Sequence, residues 1–309
     1  MTRLETLTEA EAEGEGPAAS RPTDAVERLG RAHAAVDRRV FFVVGCQKSG
    51  TTWVQRLLDG HPNVRCHGEG YFAAVLWPLL QQVAQAFNPR HKAGDLGGLD
   101  DADVRALFAA AVGLHFDRWI GQSPGIEVVG EKTPEHALCL PAINQTFPTS
   151  RIVHIIRDGR DVCVSGWFHN LRLNNPEFRR RFPDFASYVA YTTENHWAPY
   201  IQRSRRFGNA FPDRYHELRY ERLHADPEAS VGALLGFLGV DDGKDAVAAC
   251  LDAGAFERLS GGRKQGEADA GSFYRKGVVG DWREHFDAAA IAAFRRCGGA
   301  LADELGYAD

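Results

Sequence analysis

Val40-Phe41-Phe42-Val43-Val44-Gly45-Cys46-Gln47-Lys48-Ser49-Gly50-Thr51-Thr52-Trp53 joins two patterns of different period. Its first five residues are apolar on both faces, as a central parallel strand covered from two sides must be. Gly45 ends that run. From Thr51 apolar residues return at helical spacing, with Trp53, Val54, Leu57 and Leu58, until Gly60-His61-Pro62 stops the helix. The succession recurs downstream. Asp100–Trp119 reads as a helix and Glu127–Gly130 as a short strand. Arg151–Ile156 is a second buried-type strand that also runs into a turn and a helix; Tyr215–Tyr220 alternates like a strand end, and Pro227–Leu238 looks helical. Strands alternating with helices predict an α/β fold with a central parallel sheet flanked by helices. Neither an internal repeat nor a Pro-rich linker divides residues 38–309, so one domain is expected there. Residues 1–37 are rich in Ala, Glu and Gly, with almost no large apolar side chains, and predict a disordered or loosely helical tail.

The 309 residues are 44% hydrophobic and 25% charged, which is enough for a full globular core. A net charge of −5 argues against a groove built for nucleic-acid backbone, which needs many unneutralised cations. No apolar run approaches the roughly 20 residues that span a bilayer, and the acidic N-terminus lacks the apolar segment of a secretory signal. Cys46, Cys66, Cys139, Cys163, Cys250 and Cys297 are scattered without a CxxC, as reduced thiols of a cytoplasmic protein would be. The histidines form neither an HExxH nor a zinc spacing with cysteines, so no metal is expected.

A glycine-bearing strand-to-helix loop turns backbone N–H groups and a helix N-terminus toward an anion. Gly45 and Gly50 have the spacing of the P-loop pattern GxxxxGK[ST], which favours a three-layer P-loop-like fold. Yet Thr51 follows Gly50, and the lysine has moved inside the loop to Lys48. An NTPase needs its lysine after the glycine and an aspartate at a strand end for magnesium, whereas the strand ending at Ile156 meets Arg157. A divergent P-loop kinase or NTPase, and a non-catalytic nucleotide-binding module, are the alternatives to the reading that follows.

Gln47-Lys48-Ser49-Gly50-Thr51-Thr52-Trp53 resembles the 5′-phosphosulfate loop of sulfotransferases that use 3′-phosphoadenosine 5′-phosphosulfate (PAPS). The resemblance implies that Lys48 contacts the bridging oxygen of the leaving phosphate, that Thr51 and Thr52 in the Ser49-Gly50 turn hold the 5′-phosphate, and that Trp53 stacks on adenine. Arg157, with Ser165 eight residues later, resembles the family's 3′-phosphate motif; an arginine fork and a hydroxyl suit a phosphate monoester. Alone, Arg157, Asp158, Arg160 and Asp161 would read as a salt-bridged solvated turn. Arg275-Lys276-Gly277-Val278-Val279-Gly280-Asp281-Trp282 resembles the family's RKGxxGDW stretch, which implies that Arg275, Lys276 and Gly277 clasp the same phosphate. Tyr220 falls where relatives carry a tyrosine near adenine. These matches, in family order, cover Val40–Glu69, Glu131–Pro134, Arg151–Trp167, Leu218–Glu228 and Phe273–Phe286.

The implied reaction moves a sulfuryl group from PAPS, without a metal, to a hydroxyl or amine of a small-molecule acceptor, which requires a base. Cytosolic members place a histidine base in a Lys-Thr-His stretch, but here Lys132-Thr133 is followed by Pro134, with His136 two residues beyond. The branch containing tyrosylprotein and carbohydrate sulfotransferases uses a glutamate in a motif resembling HPxVxxxxE, which His61–Glu69 fits. Glu69 is therefore the expected base and Lys132 its electrostatic helper, with His67 in reserve; His154, inside a strand, reads as a core residue. The acceptor pocket is expected among the rings of Gly70–Leu99 (Tyr71, Phe72, Trp77, Phe87) and of Gly166–Tyr200 (Trp167, Phe168, Phe178, Phe182, Phe185, Tyr188, Tyr191, Trp197, Tyr200). Their density favours a flat or apolar, natural-product-like acceptor. Arg172 with Arg179-Arg180-Arg181 reads as a solvated helix face. Asp287–Phe294 lacks the dimer motif of cytosolic relatives, which leaves a homodimer open.

Overall fold

The computed structural model describes residues 22–91, 97–121, 125–269 and 271–307. Five strands, β1 (Arg39–Val44), β2 (Val64–Gly68), β3 (Val128–Lys132), β4 (Arg151–Ile156) and β5 (Tyr215–Arg219), form one parallel sheet in the order β2-β3-β1-β4-β5. β1 lies between β3 and β4, with Phe41 opposite Gly130 on one side and Arg151 on the other. Its two-sided apolar run separates two cores. Phe41 and Val43 pack with Val54, Leu57 and Leu235 in one layer, and Val40, Phe42 and Val44 pack with Phe108, Val112 and Trp197 in the other. The chain first moves from β1 toward β2 and later crosses back to β4. The crevice at the carboxyl ends of β1 and β4 is therefore a topological switch point, where open α/β sheets bind ligands.

The short strand β2 is absent from the sequence expectation, because Arg65 and His67 interrupt its apolar pattern; pairing to β3, not composition, makes it a strand. The tail boundary at residue 37 also needs correction. Pro22–Val36 is a helix lying against the Asp101–Gly121 helix, with Ala32 and Ala35 buried; residues 1–21 lie outside the described residues. Large side chains do not drive this packing, since Val26 and Leu29 face solvent. Small ones do: a Cβ on Gly113 would come 2.3 Å from the Ala32 carbonyl oxygen. A long helical stretch, Phe185–Ala210, carries a π-type turn at Thr193–Trp197. Among the described residues no helix is long and apolar enough to cross a membrane.

Candidate active site

The loop after β1 is shaped by what its glycines exclude. Gly45 has φ +152°, and a Cβ there would meet the Ile155 carbonyl oxygen of β4 at 2.5 Å. Gly50, at φ +101°, leaves 2.8 Å between such a Cβ and the Tyr220 ring. Between them Lys48 takes a left-handed conformation, φ 70°. The Thr51–Asp59 helix then starts at Gly50 without a side-chain cap, so its first N–H groups are available to an anion.

These groups face a cavity of about 610 Å³. Lys48, Gly50, Thr51, Thr52, Trp53, Glu69, Arg157, Ser165, Tyr220, Arg275, Lys276 and Gly277 all line it. Ser49 is buried and does not line it. Burial, with Arg172 and Arg157 nearby, pulls the Lys48 ammonium down to about 8, and its Nζ sits 4.5 Å from the Phe273 ring centroid. Arg157 joins three segments, donating to the Lys48 carbonyl at 3.2 Å and the Val278 carbonyl at 3.0 Å while stacking 4.2 Å from the Tyr220 ring. Trp53 donates to the Gly254 carbonyl at 2.9 Å and packs beside Tyr220 and His224.

The turn Arg157–Asp161 is buried rather than solvated. Asp158 caps the Gly159–Arg172 helix and pairs with Arg160 at 2.9 Å. Arg160 in turn lies 3.8 Å from the Trp282 ring. Asp161 accepts from the N–H groups of Gly280 at 2.8 Å and Trp282 at 2.9 Å, so it fastens the 275–282 segment over the cavity. Sequence reasoning missed that role, although both partners lie in quoted motifs. Arg275 is bonded to Asp281 and stacks on Phe168; Lys276 bonds Asp281 at 2.7 Å and Glu284 at 2.8 Å, which holds its ammonium above the usual range.

Glu69 lies just past β2 with an unusual φ of 24°. Its Oε1 accepts from Lys132 Nζ at 2.5 Å and its Oε2 from Tyr71 Oη at 2.7 Å. Burial pushes its carboxyl up, but these two bonds outweigh burial and hold it below the ordinary value. Buried Glu131 props up this loop, accepting from Gly70 N–H at 2.6 Å and from the Thr133 hydroxyl, which itself accepts from Tyr71 N–H.

His67, held in reserve, and His136, beyond Pro134, lie elsewhere. His67 stacks on Trp119, 4.3 Å between centroids, outside the cavity lining. His136 is fully buried; its Nδ1 lies 3.0 Å from Glu131, and its Nε2 accepts from Ala73 N–H. Neither histidine lines the cavity that Glu69 lines. His154 is a core residue bonded to Tyr215 at 2.6 Å.

The aromatic acceptor wall also needs correction. Trp77, Phe87, Phe178, Phe182, Phe185 and Trp197 pack in core clusters or on the surface and do not line the cavity. Tyr71, Tyr188, Phe273 and Tyr274 do, interspersed with Glu135, His169, Asn170, Thr192 and His196. Arg179–Arg181 form an exposed last turn, with Arg180 paired to Glu177.

A flavonol sulfotransferase-like protein of Flaveria bidentis is 30% identical over 157 residues, 44% of this chain and 49% of the relative. Zebrafish (Danio rerio) protein-tyrosine sulfotransferase 1 is 23% identical over 204 residues, 66% of the chain and 54% of the relative. The chain spans 27% of the length of an Aquifex aeolicus relative and 65% of one from Caenorhabditis briggsae. In fold it resembles mouse sulfotransferase SULT7A1 complexed with PAP, with a TM-score of 0.55, 16% identity, and coverage of 90% of this chain and 91% of that one. Residues 41–244, more than half of the chain and the part that builds the sheet, the β1 loop and the Glu69–Lys132 pair, match the model of the sulfotransferase family, to which this chain belongs.

Proposed function

We propose that this chain transfers the sulfuryl group of PAPS to a hydroxyl or amine of a small-molecule acceptor, leaving 3′-phosphoadenosine 5′-phosphate (PAP). The observation that carries the reading is that one cavity is lined by all the groups the reaction needs. In this reading Arg157, Ser165, Arg275, Lys276 and Gly277 clamp a 3′-phosphate, Trp53 and Tyr220 supply the aromatic faces, and Lys48 and Glu69 line the same cavity, which the uncapped helix at Thr51 also borders. The PAP named with the mouse neighbour supports the same nucleotide.

In this reading Thr51, Thr52 and the helix N–H groups hold the 5′-phosphate, with Ser49 and Gly50 shaping the turn. Lys48 places positive charge where the departing phosphate gains negative charge. Glu69 takes the acceptor proton while Lys132 orients it. The kinase alternative is disfavoured because Asp158 and Asp161, the aspartates beside β4, already hold Arg160 and the 280–282 backbone. Six free cysteines favour a reducing, cytoplasmic compartment.

Calorimetric titration tests the assignment. PAP should bind without metal, at least about tenfold tighter than adenosine 5′-phosphate, the gain expected of one well-clamped phosphate. Preference for Mg·ATP would overturn it.

A further inference from the structure

The acceptor half of the cavity contains two carboxylates in different electrostatic states. Glu69 is neutralised by Lys132. Glu135 follows Pro134 beyond β3, lines the same cavity, and has no cation partner among the described residues. Its Oε1 accepts from Gln47 Nε2 at 2.7 Å; Gln47, the neighbour of Lys48, also donates to Tyr200 Oη at 3.1 Å. Its Oε2 is buried without a hydrogen-bond partner among the described residues, and so is Nδ1 of His196, which the π-type turn brings to the same wall. A carboxylate that lines a cavity without a cation partner favours a bound molecule that brings a donor or positive charge to it.

We propose that Glu135 is a specificity-determining residue of the acceptor site, selecting acceptors that carry a second hydrogen-bond donor, best an ammonium, besides the group that is sulfated. An acidic acceptor would add charge of the same sign beside Glu135, which, unlike Glu69, has no cation partner among the described residues. A wholly apolar phenol would shield the Glu135 carboxylate from water without pairing it, and sites with polar groups reject ligands that fail to satisfy them. Arg172 bonds His169 Nδ1 at 3.2 Å and does not line the cavity, so it offers an acidic acceptor no direct partner. The inference rests on the sulfotransferase reading, since it assumes that this half of the cavity receives the acceptor.

The test uses the PAP-bound protein and four phenols that differ only in their para substituent: tyramine, tyrosol, 4-ethylphenol and 4-hydroxyphenylacetate, titrated calorimetrically. Tyramine and tyrosol should bind more tightly than 4-ethylphenol, and tyramine at least about tenfold more tightly than the carboxylate. Glu135→Gln should erase the preference for tyramine while leaving PAP and 4-ethylphenol affinities unchanged, and Glu135→Lys should move the preference toward 4-hydroxyphenylacetate. The proposal is overturned if PAP binds but the four phenols show no ranking, if the anionic or apolar phenol ranks first, or if Glu135→Gln weakens all four alike. Failure of the wild-type protein to bind PAP, measured first in the same cell, would instead remove the sulfotransferase reading beneath it.

Discussion

Lys48 combines two unfavourable states, a left-handed backbone and a desolvated ammonium, and groups held this way concentrate at functional sites. With its folded pKa lowered to about 8 from 10.5, the lysine binds fewer protons folded than unfolded between those values. The cost of keeping it charged in the fold is therefore full below pH 8 and vanishes as pH rises past 10.5. Lys48→Met should raise the melting temperature at pH 7, with the gain fading at high pH. Turnover should fall by about 10²–10³, the usual loss when a donor to a developing charge is removed. In the wild type, kcat/KM should decline as pH rises through about 8; a flat profile to pH 10 would separate Lys48 from the chemistry. Glu69 presents the opposite case, since Lys132 and Tyr71 keep it ionised at neutral pH. Glu69→Gln should cut turnover by about 10²–10⁴ with PAP affinity unchanged, whereas Lys132→Met should shift the acid limb of the pH profile upward, as the carboxyl loses the bond that holds it low. The sequence motif reaches Glu69 and places Lys132 beside it. It carries no sign of the Glu131 clamp on His136, because that clamp exists only once β2 and β3 pair.

At the scale of elements, the part legible in advance is the part written in periodicity. β1, β4 and the helices Thr51–Asp59 and Pro227–Leu238 fall where apolar runs and their stops put them, because each element buries its own pattern. The aromatic acceptor wall was misjudged because rings at helical spacing serve the core as readily as a pocket. Only tertiary packing sends Phe178 and Phe182 into a cluster away from the cavity while Tyr188, packed beside them, also lines it. The 275–282 segment depends even less on local pattern. It is a loop held by a buried aspartate more than 100 residues earlier in the chain. Asp161→Asn keeps the volume but removes the charge and one of the two acceptor oxygens, at a cost of about 1–3 kcal/mol. PAP affinity should drop by about tenfold or more, and adenosine 5′-phosphate, which lacks the 3′-phosphate proposed to bind this segment, should be affected far less. An equal loss for both nucleotides would mean that Asp161 supports the cavity as a whole.

The whole molecule closes over its sheet with an N-terminal helix whose attachment escaped the composition argument. That argument weighs large apolar side chains, and by that measure Pro22–Val36 has little to bury. Helices that meet through Ala and Gly gain instead from close backbone approach, which brings dispersion contacts without large side chains. Ala32 and Ala35 lie fully or nearly buried against the Asp101–Gly121 helix, and Arg31 pairs with Asp117 at 3.3 Å. The exposed ion pair contributes little, so the backbone approach at Gly113 has to carry the attachment. Gly113→Val should therefore force the two helices apart, through the clash with the Ala32 carbonyl, and cost about 1–3 kcal/mol as overpacking does. In a protein of this size that lowers the melting temperature by about 2–8 °C. Removing residues 1–37 should cause a comparable drop by uncovering the same face. Combined, the two changes should cost little more than the truncation alone, since Gly113→Val has no Ala32 to meet once the helix is absent. Additive losses in thermal melts would show instead that valine disturbs the Asp101–Gly121 helix itself, and that the N-terminal helix is a passenger on the domain.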